Sequence, residues 1–243
     1  MDVTRRDALR LCAVTTVSCI VGSRMTTAQT LTSATKAADH LLLGTPDLDR
    51  GIAWVEQLTG VKAVIGGSHP GRGTRNALLS LGGRQYLEII APDPAQTSYT
   101  FQIDLRKLSE PRLVTWAAAS TDVNGLAKRA SAAGQRVLGP NGGSRVTPSG
   151  ATLKWTTLAV VHDLASGEID PIPFFIEWAP GTAHPSETSP KGCELQSLAI
   201  EHPKPDAIQT VLKPFGIEAD VKAGAAARLR ATVRTPKGVI ALG

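Results

Sequence analysis

The sequence predicts an α+β fold made of repeated units, each a strand, a helix and three further strands. Three observations carry this. Hydrophobic spacing alternates between the period of a strand and that of a helix in one fixed order. The order recurs after a second strand-to-helix junction, "STDVNGL", which aligns without gaps with "TPDLDRG" and so matches Asp122 to Asp47. A shorter third copy closes the chain.

In the first unit "ADHLLLGT", residues 38–45, is an apolar run of strand length. Leu48, Ile52, Val55 and Leu58 then fall at helical spacing, with Asp47 placed to cap the first turn and Gly60 to end the last. Strands are expected at 61–65, 76–81 and 85–91, the first two separated by "GGSHPGRGT" and the last two joined by a tight Gly82-Gly83 turn. The second unit opens with "RLVTWAAAS" and continues with a helix from Asp122 to Gly134, then strands near Arg136, at 152–161 and at 172–178. The third has "LQSLAIEHP", a helix that begins near Asp206, and strands around Val221, at 229–233 and at 239–242. The units therefore span about 38–93, 111–180 and 193–243.

The chain has 243 residues and 42% apolar content, ample for a substantial core. Its formal net charge is +5, of which Arg5, Arg6, Arg10 and Arg24 against Asp2 and Asp7 supply +2 and leave +3 for the remainder. No Lys/Arg run interleaved with aromatics occurs in that remainder, which argues against a nucleic-acid partner. "TRRDALRL" resembles a twin-arginine export signal, and the apolar stretch 11–21 after it is too short and too polar to span a membrane. "TTA", residues 26–28, has the small-residue character of a cleavage site. Residues 1–28 are therefore expected to direct the chain to the periplasm or the exterior, and residues 29–37 to form a linker. Cys12 and Cys19 would leave with the leader, so Cys193 would remain alone and no internal disulfide is expected.

The chemistry concentrates on two closing strands. "YLEIIAP" and "FIEWAP" align so that Glu88 stands opposite Glu177, whereas "GVIALG" in the third unit has Ala241 there. Strand alternation places Tyr86, Glu88 and Ile90 on one face, and Phe175, Glu177 and Ala179 on one face. If the two units curve around one cavity, both carboxylates point inward and repel unless a cation lies between them. A divalent metal would serve, with His40 on the opening strand as an imidazole ligand. His with Glu suits Zn, Mn, Fe, Co or Ni better than Ca. A lone strand His is more often a hydrogen-bonded structural residue, and a lone strand Glu more often an edge charge. Recurrence at one position in two units is what favours a site.

"ADHLLLGTPDLDRG", "GGSHPGRGTRNALLSLGGRQYLEIIAPDP", "PRLVTWAAAST" and "PFFIEWAP" together closely resemble the glyoxalase-like proteins of the vicinal oxygen chelate superfamily, from Ala38 to the C-terminus. The resemblance implies paired βαβββ modules in a cup-shaped, half-open barrel, with metal ligands on the first and last strands of each module. It implies His40, Glu88 and Glu177 as ligands, Thr115 standing where the second module would offer an imidazole. Arg75 stands where related sequences often carry His, and a guanidinium between the two glutamates would neutralise them without a metal.

Arg75, Asn76, His69 and Trp116 are candidates for substrate contact, while His162, His184 and His202 have no evident partner in sequence. The function so implied is that of an exported, metal-dependent lyase, isomerase or hydrolase acting on a small oxygenated metabolite, with Glu177 as general base. The alternative is a non-catalytic protein that sequesters a small molecule in the same cup. Superfamily members often dimerise, so a homodimer is consistent with the resemblance.

Overall fold

The computed structural model describes residues 30–243. The expected export segment, with Cys12 and Cys19, lies outside the described residues. In chain order the elements are β1 (Thr32–Ser33), α1 (Ala34–Ala37), β2 (Ala38–Gly44), α2 (Leu48–Thr59), β3 (Val64–His69), β4 (Thr74–Ser80) and β5 (Tyr86–Pro92). Then come β6 (Arg112–Ala119), α3 (Val123–Ala132), β7 (Val137–Val146), β8 (Thr152–Val160), β9 (Phe174–Trp178) and α4 (Pro185–Thr188). The chain closes with β10 (Glu194–His202), α5 (Pro205–Leu212), β11 (Ile217–Glu218), β12 (Asp220–Ala223), β13 (Arg228–Thr235) and β14 (Gly238–Leu242).

The caps act as their residue types require. Asp47 accepts a hydrogen bond from the Arg50 N–H at 2.8 Å, and Asp122 accepts one from the Gly125 N–H at 2.7 Å. Gly60 ends α2 at φ 77°, a left-handed conformation that costs other residues energy.

β2 to β9 form one eight-stranded sheet in the order β3-β4-β5-β2-β6-β9-β8-β7. The halves mirror each other about the antiparallel β2–β6 pair. In each half the last strand lies parallel to the first, β5 on β2 and β9 on β6. The outer edges curl toward one another, so that Arg145 Nη1 on β7 donates to the Gly66 carbonyl on β3. The result is the predicted half-open cup.

Alternation divides the sheet's residues. Leu41, Leu43, Leu79, Leu87, Ile89, Trp116 and Leu158 face α2 and α3 in the main core with Val55, Val123 and Leu126. The residues that alternate with them face the cup. A smaller core of Leu42, Ile90, Leu105, Leu108 and Val114 seats the segment after β5 near the cup mouth, with Phe101, Ile103 and Phe174 against it.

The third unit repeats the predicted order of elements but not their pairing. Its sheet runs β12-β10-β13-β14, with the opening strand β10 between the second and third strands rather than beside the last. Ala241 on β14 is thus not the spatial equivalent of Glu88. The expected linker also differs. β1 pairs with β11, and Ala34 is buried in the core. The Thr35 hydroxyl accepts from the Leu198 N–H at 2.9 Å, which ties the segment to β10.

Candidate active site

The cup has a volume of about 240 Å³ and draws its lining from strands of both modules. Module one contributes His40 and Leu42 from β2, His69 from β3, Thr74 and Asn76 from β4, and Tyr86, Glu88 and Ile90 from β5. Module two contributes Thr115, Arg145, Trp155, Phe174, Ile176 and Trp178. The module-one side is mostly polar, and the module-two side combines an aromatic wall of Trp155, Phe174 and Trp178 with Arg145 and the His162–Asp170 pair.

Glu88 is only 6% exposed and stands at the centre of the polar side. Asn76 Nδ2 donates to its Oε1 at 2.8 Å, His40 Nε2 lies 3.4 Å from Oε2, and His69 Nε2 lies 3.5 Å from Oε1. Burial alone would raise this carboxyl. The imidazoles of His69 and His40, the Asn76 hydrogen bond and Arg145 outweigh burial and hold it below the ordinary glutamate range. Burial pushes His69 down, so it is neutral at pH 7 despite the pull of Glu88. Its Nδ1 lies 2.9 Å from Thr74 Oγ1.

Behind His40 stands Asp39. Its Oδ1 is 2.7 Å from His40 Nδ1, and its Oδ2 is 3.1 Å from His184 Nε2. Trp178 Nε1 also donates to Asp39, at 3.1 Å to Oδ2. Burial raises the Asp39 carboxyl, but the hydrogen bonds from His184 and His40 and their charges bring it down to about 2. It is therefore ionised at any ordinary pH. A register shift between Ala38 and His40 lets these two consecutive side chains meet. Tyr86 stacks on the His40 ring at 4.5 Å, and Phe174 meets it edge-on at 5.7 Å, so the imidazole orientation is fixed. His184 is held in turn by Ser186, whose hydroxyl lies 2.8 Å from its Nδ1.

Of the residues expected from sequence, His40, Glu88, Asn76 and His69 come together. Glu177 does not join them. Its Oε2 accepts from the Val123 N–H at 2.8 Å, at the N-terminus of α3 on the helix-covered side of the sheet. The register gives the reason. Glu88 pairs with Leu42 and Phe174 pairs with Ala117, and Ala117 follows Leu42 by the same offset as Asp122 follows Asp47. Phe174 thus stands in the place of Glu88. Aligning Glu177 there shifts the strand by three residues, an odd number, which reverses the face.

Trp116 and Arg75 also face away from the cup. Trp116 is fully buried in the helix-facing core, with Nε1 donating to the Pro171 carbonyl at 3.0 Å. Arg75 alternates away from Thr74 and Asn76, toward Asp93. No guanidinium lies between two glutamates as the sequence suggested. Sequence reasoning missed Asp39, Arg145, His184, Trp155 and Trp178. Only Asp39 carried a signal, a second ionisable residue beside His40 in an otherwise apolar strand.

The metal site of the resemblance, with His40, Glu88 and Glu177 as ligands, does not fit this donor set, because Glu177 lies on the other face of the sheet. On its first and last strands module two offers Thr115, Phe174, Ile176 and Trp178 to the cup, none of them an imidazole or carboxylate, and its His162 and Asp170 line the cup elsewhere, paired with each other at 3.2 Å. Among the described residues no group of three or more His, Cys, Asp or Glu side chains is arranged to hold a metal ion.

A family model described as a glyoxalase-like domain matches residues 38–216, most of the chain. The chain belongs to the glyoxalase-like domain family. It fits the vicinal oxygen chelate superfamily, whose members often use divalent metals. Similar solved structures of this glyoxalase-like chain include a hypothetical protein from Staphylococcus aureus, at 17% identity and a TM-score of 0.62, covering 79% of this chain and 87% of that one. That likeness shows the fold. Methylmalonyl-CoA epimerase from Mycobacterium tuberculosis is 21% identical with a TM-score of 0.41, over 61% of this chain and 92% of that one. A mutant 4-hydroxymandelate synthase from Streptomyces coelicolor is 15% identical with a TM-score of 0.42, over 84% of this chain and 61% of that one. Comparison with curated proteins finds no match. Among the described residues no helix is long and apolar enough to cross a membrane.

Proposed function

We propose that this glyoxalase-like chain is an enzyme that moves a proton on a small oxygenated organic molecule bound in the cup. The observation that carries the reading is the Asp39–His40 pair, with Oδ1 at 2.7 Å from Nδ1 and Nε2 turned to the cup, 3.4 Å from Glu88. A carboxylate behind an imidazole holds the proton on Nδ1 and fixes the ring, leaving Nε2 to exchange a proton with a bound molecule. Glu88, ionised and within reach of the same nitrogen, is the second proton-transfer group. Asn76 holds the Glu88 carboxylate in place, and Trp155, Phe174 and Trp178 give the bound molecule an aromatic wall to lie against.

The test is solvent-deuterium exchange into a panel of hydroxy ketones and hydroxy acids, followed by NMR. Wild type is expected to exchange a C–H next to a carbonyl, and His40→Ala and Glu88→Gln to lose that exchange. Binding without exchange or turnover would replace this reading with sequestration. Metal analysis after reconstitution bears on the same point. One equivalent of Zn, Mn, Fe, Co or Ni, lost in His40→Ala, would restore the metal-dependent reading and sink the metal-free one. Export through residues 1–28 belongs to the proposal as well, and intact-mass measurement of secreted protein tests it.

A further inference from the structure

Arg145 is 4% exposed, as buried as a core leucine, and lines the cup. Among the described residues its side chain makes one hydrogen bond, Nη1 to the Gly66 carbonyl, and no ion pair. That bond closes the seam between β7 and β3 but uses one of five guanidinium donors. A buried cation without a bound anion is costly, and folding does not maintain one without compensation.

Each carboxylate of the cup already has side-chain partners of its own, Asp170 the His162 imidazole at 3.2 Å. Asp39 is held by His40 and His184, and Glu88 by Asn76, His40 and His69. Burial depresses the Arg145 guanidinium, while Glu88 and Tyr86 draw it back up from a distance. At the mouth a second cation, Arg72, lies 6.0 Å from the Phe101 ring centroid.

We propose that Arg145 is the recognition site for the carboxylate of an organic acid whose apolar or aromatic body lies against Trp155, Phe174 and Trp178. One buried guanidinium, a cavity of about 240 Å³ and aromatic walls suit a monoanion with an apolar body. A phosphate ester would bring a second negative charge toward Glu88 with no buried cation to meet it. The planar fork of arginine matches a carboxylate bidentately. This rests on the cup being the binding site, and it narrows the oxygenated substrate of the proposed reaction to an acid.

The experiment compares isosteric pairs, phenylacetate with phenylacetamide and butyrate with butyramide, titrated into the full chain. Tryptophan fluorescence is the readout, since Trp155 and Trp178 line the cup. Each acid is expected to bind at least tenfold tighter than its amide, and Arg145→Gln to erase that preference while amide binding persists. Should Arg145→Gln fail to fold, the wild-type acid-to-amide ratio still decides. Equal binding of acid and amide overturns the inference and leaves the cup as a ligand site. Binding of neither form overturns both.

Discussion

Asp39 Oδ1 lies 2.7 Å from His40 Nδ1, although the two are consecutive residues of one strand. The register shift at this point gives the cup a buried carboxylate behind its imidazole. Asp39→Asn keeps the shape but presents an amide that can donate to Nδ1 and reverse the tautomer. Turnover is expected to fall on the order of 100-fold or more, with ligand affinity nearly unchanged. Steady-state kinetics that separate kcat from KM check this. Equal losses in both would place Asp39 in ligand binding.

The same residue sets an acid limit on stability. The Asp39 pKa falls from 3.8 to about 2 on folding, so the unfolded chain takes up the proton first. Its contribution is complete above pH 3.8 and is lost as the pH falls toward 2. The contribution is about 2 kcal/mol. Denaturant midpoints of wild type and Asp39→Asn should therefore converge across that window. A constant difference from pH 5 to pH 2 would show that the pair is not ionic.

The fold was legible where local chemistry decides it. Asp47, Gly60 and Asp122 cap their helices as short-range rules require, and the two matching junctions revealed the mirrored modules. His40, Glu88, Asn76 and His69 were legible because each sits on the inward face of a strand in module one. The misplacement of Glu177 comes from strand register. "YLEIIAP" and "FIEWAP" match in letters, yet pairing puts Phe174 where Glu88 stands. Arg145 was hidden in "NGGSRV", since its role depends on β7 curling back to β3. His184 lies 145 residues from its partner Asp39, and no local pattern relates them.

Glu177 makes a direct test of that correction. Its carboxylate accepts from Val123 at the first turn of α3, an arrangement favoured by the helix dipole. Glu177→Ala should cost about 1 kcal/mol of stability, the scale of a lost helix cap. Ligand binding and any exchange activity should be unchanged at a temperature where both proteins are folded. Urea denaturation with a parallel ligand titration reads both. Loss of activity with stability intact would return Glu177 to the chemistry.

Gly66 links the closing seam to the proton-transfer group. A Cβ added at this position would overlap Asn76 Oδ1 and press on Leu78 at 3.0 Å. Asn76 is the residue that donates to Glu88, and its Oδ1 is buried without a partner of its own. Gly66→Ala must therefore move the Asn76 side chain and weaken its bond to Glu88. Without that donor the carboxylate titrates higher, because burial is then less opposed. The acid limb of the pH–rate profile should shift upward, with a stability loss of about 1–3 kcal/mol from overpacking. Asn76→Ala should reproduce the pH shift without the overpacking. A shift in neither variant would mean that Asn76 does not govern the ionisation of Glu88.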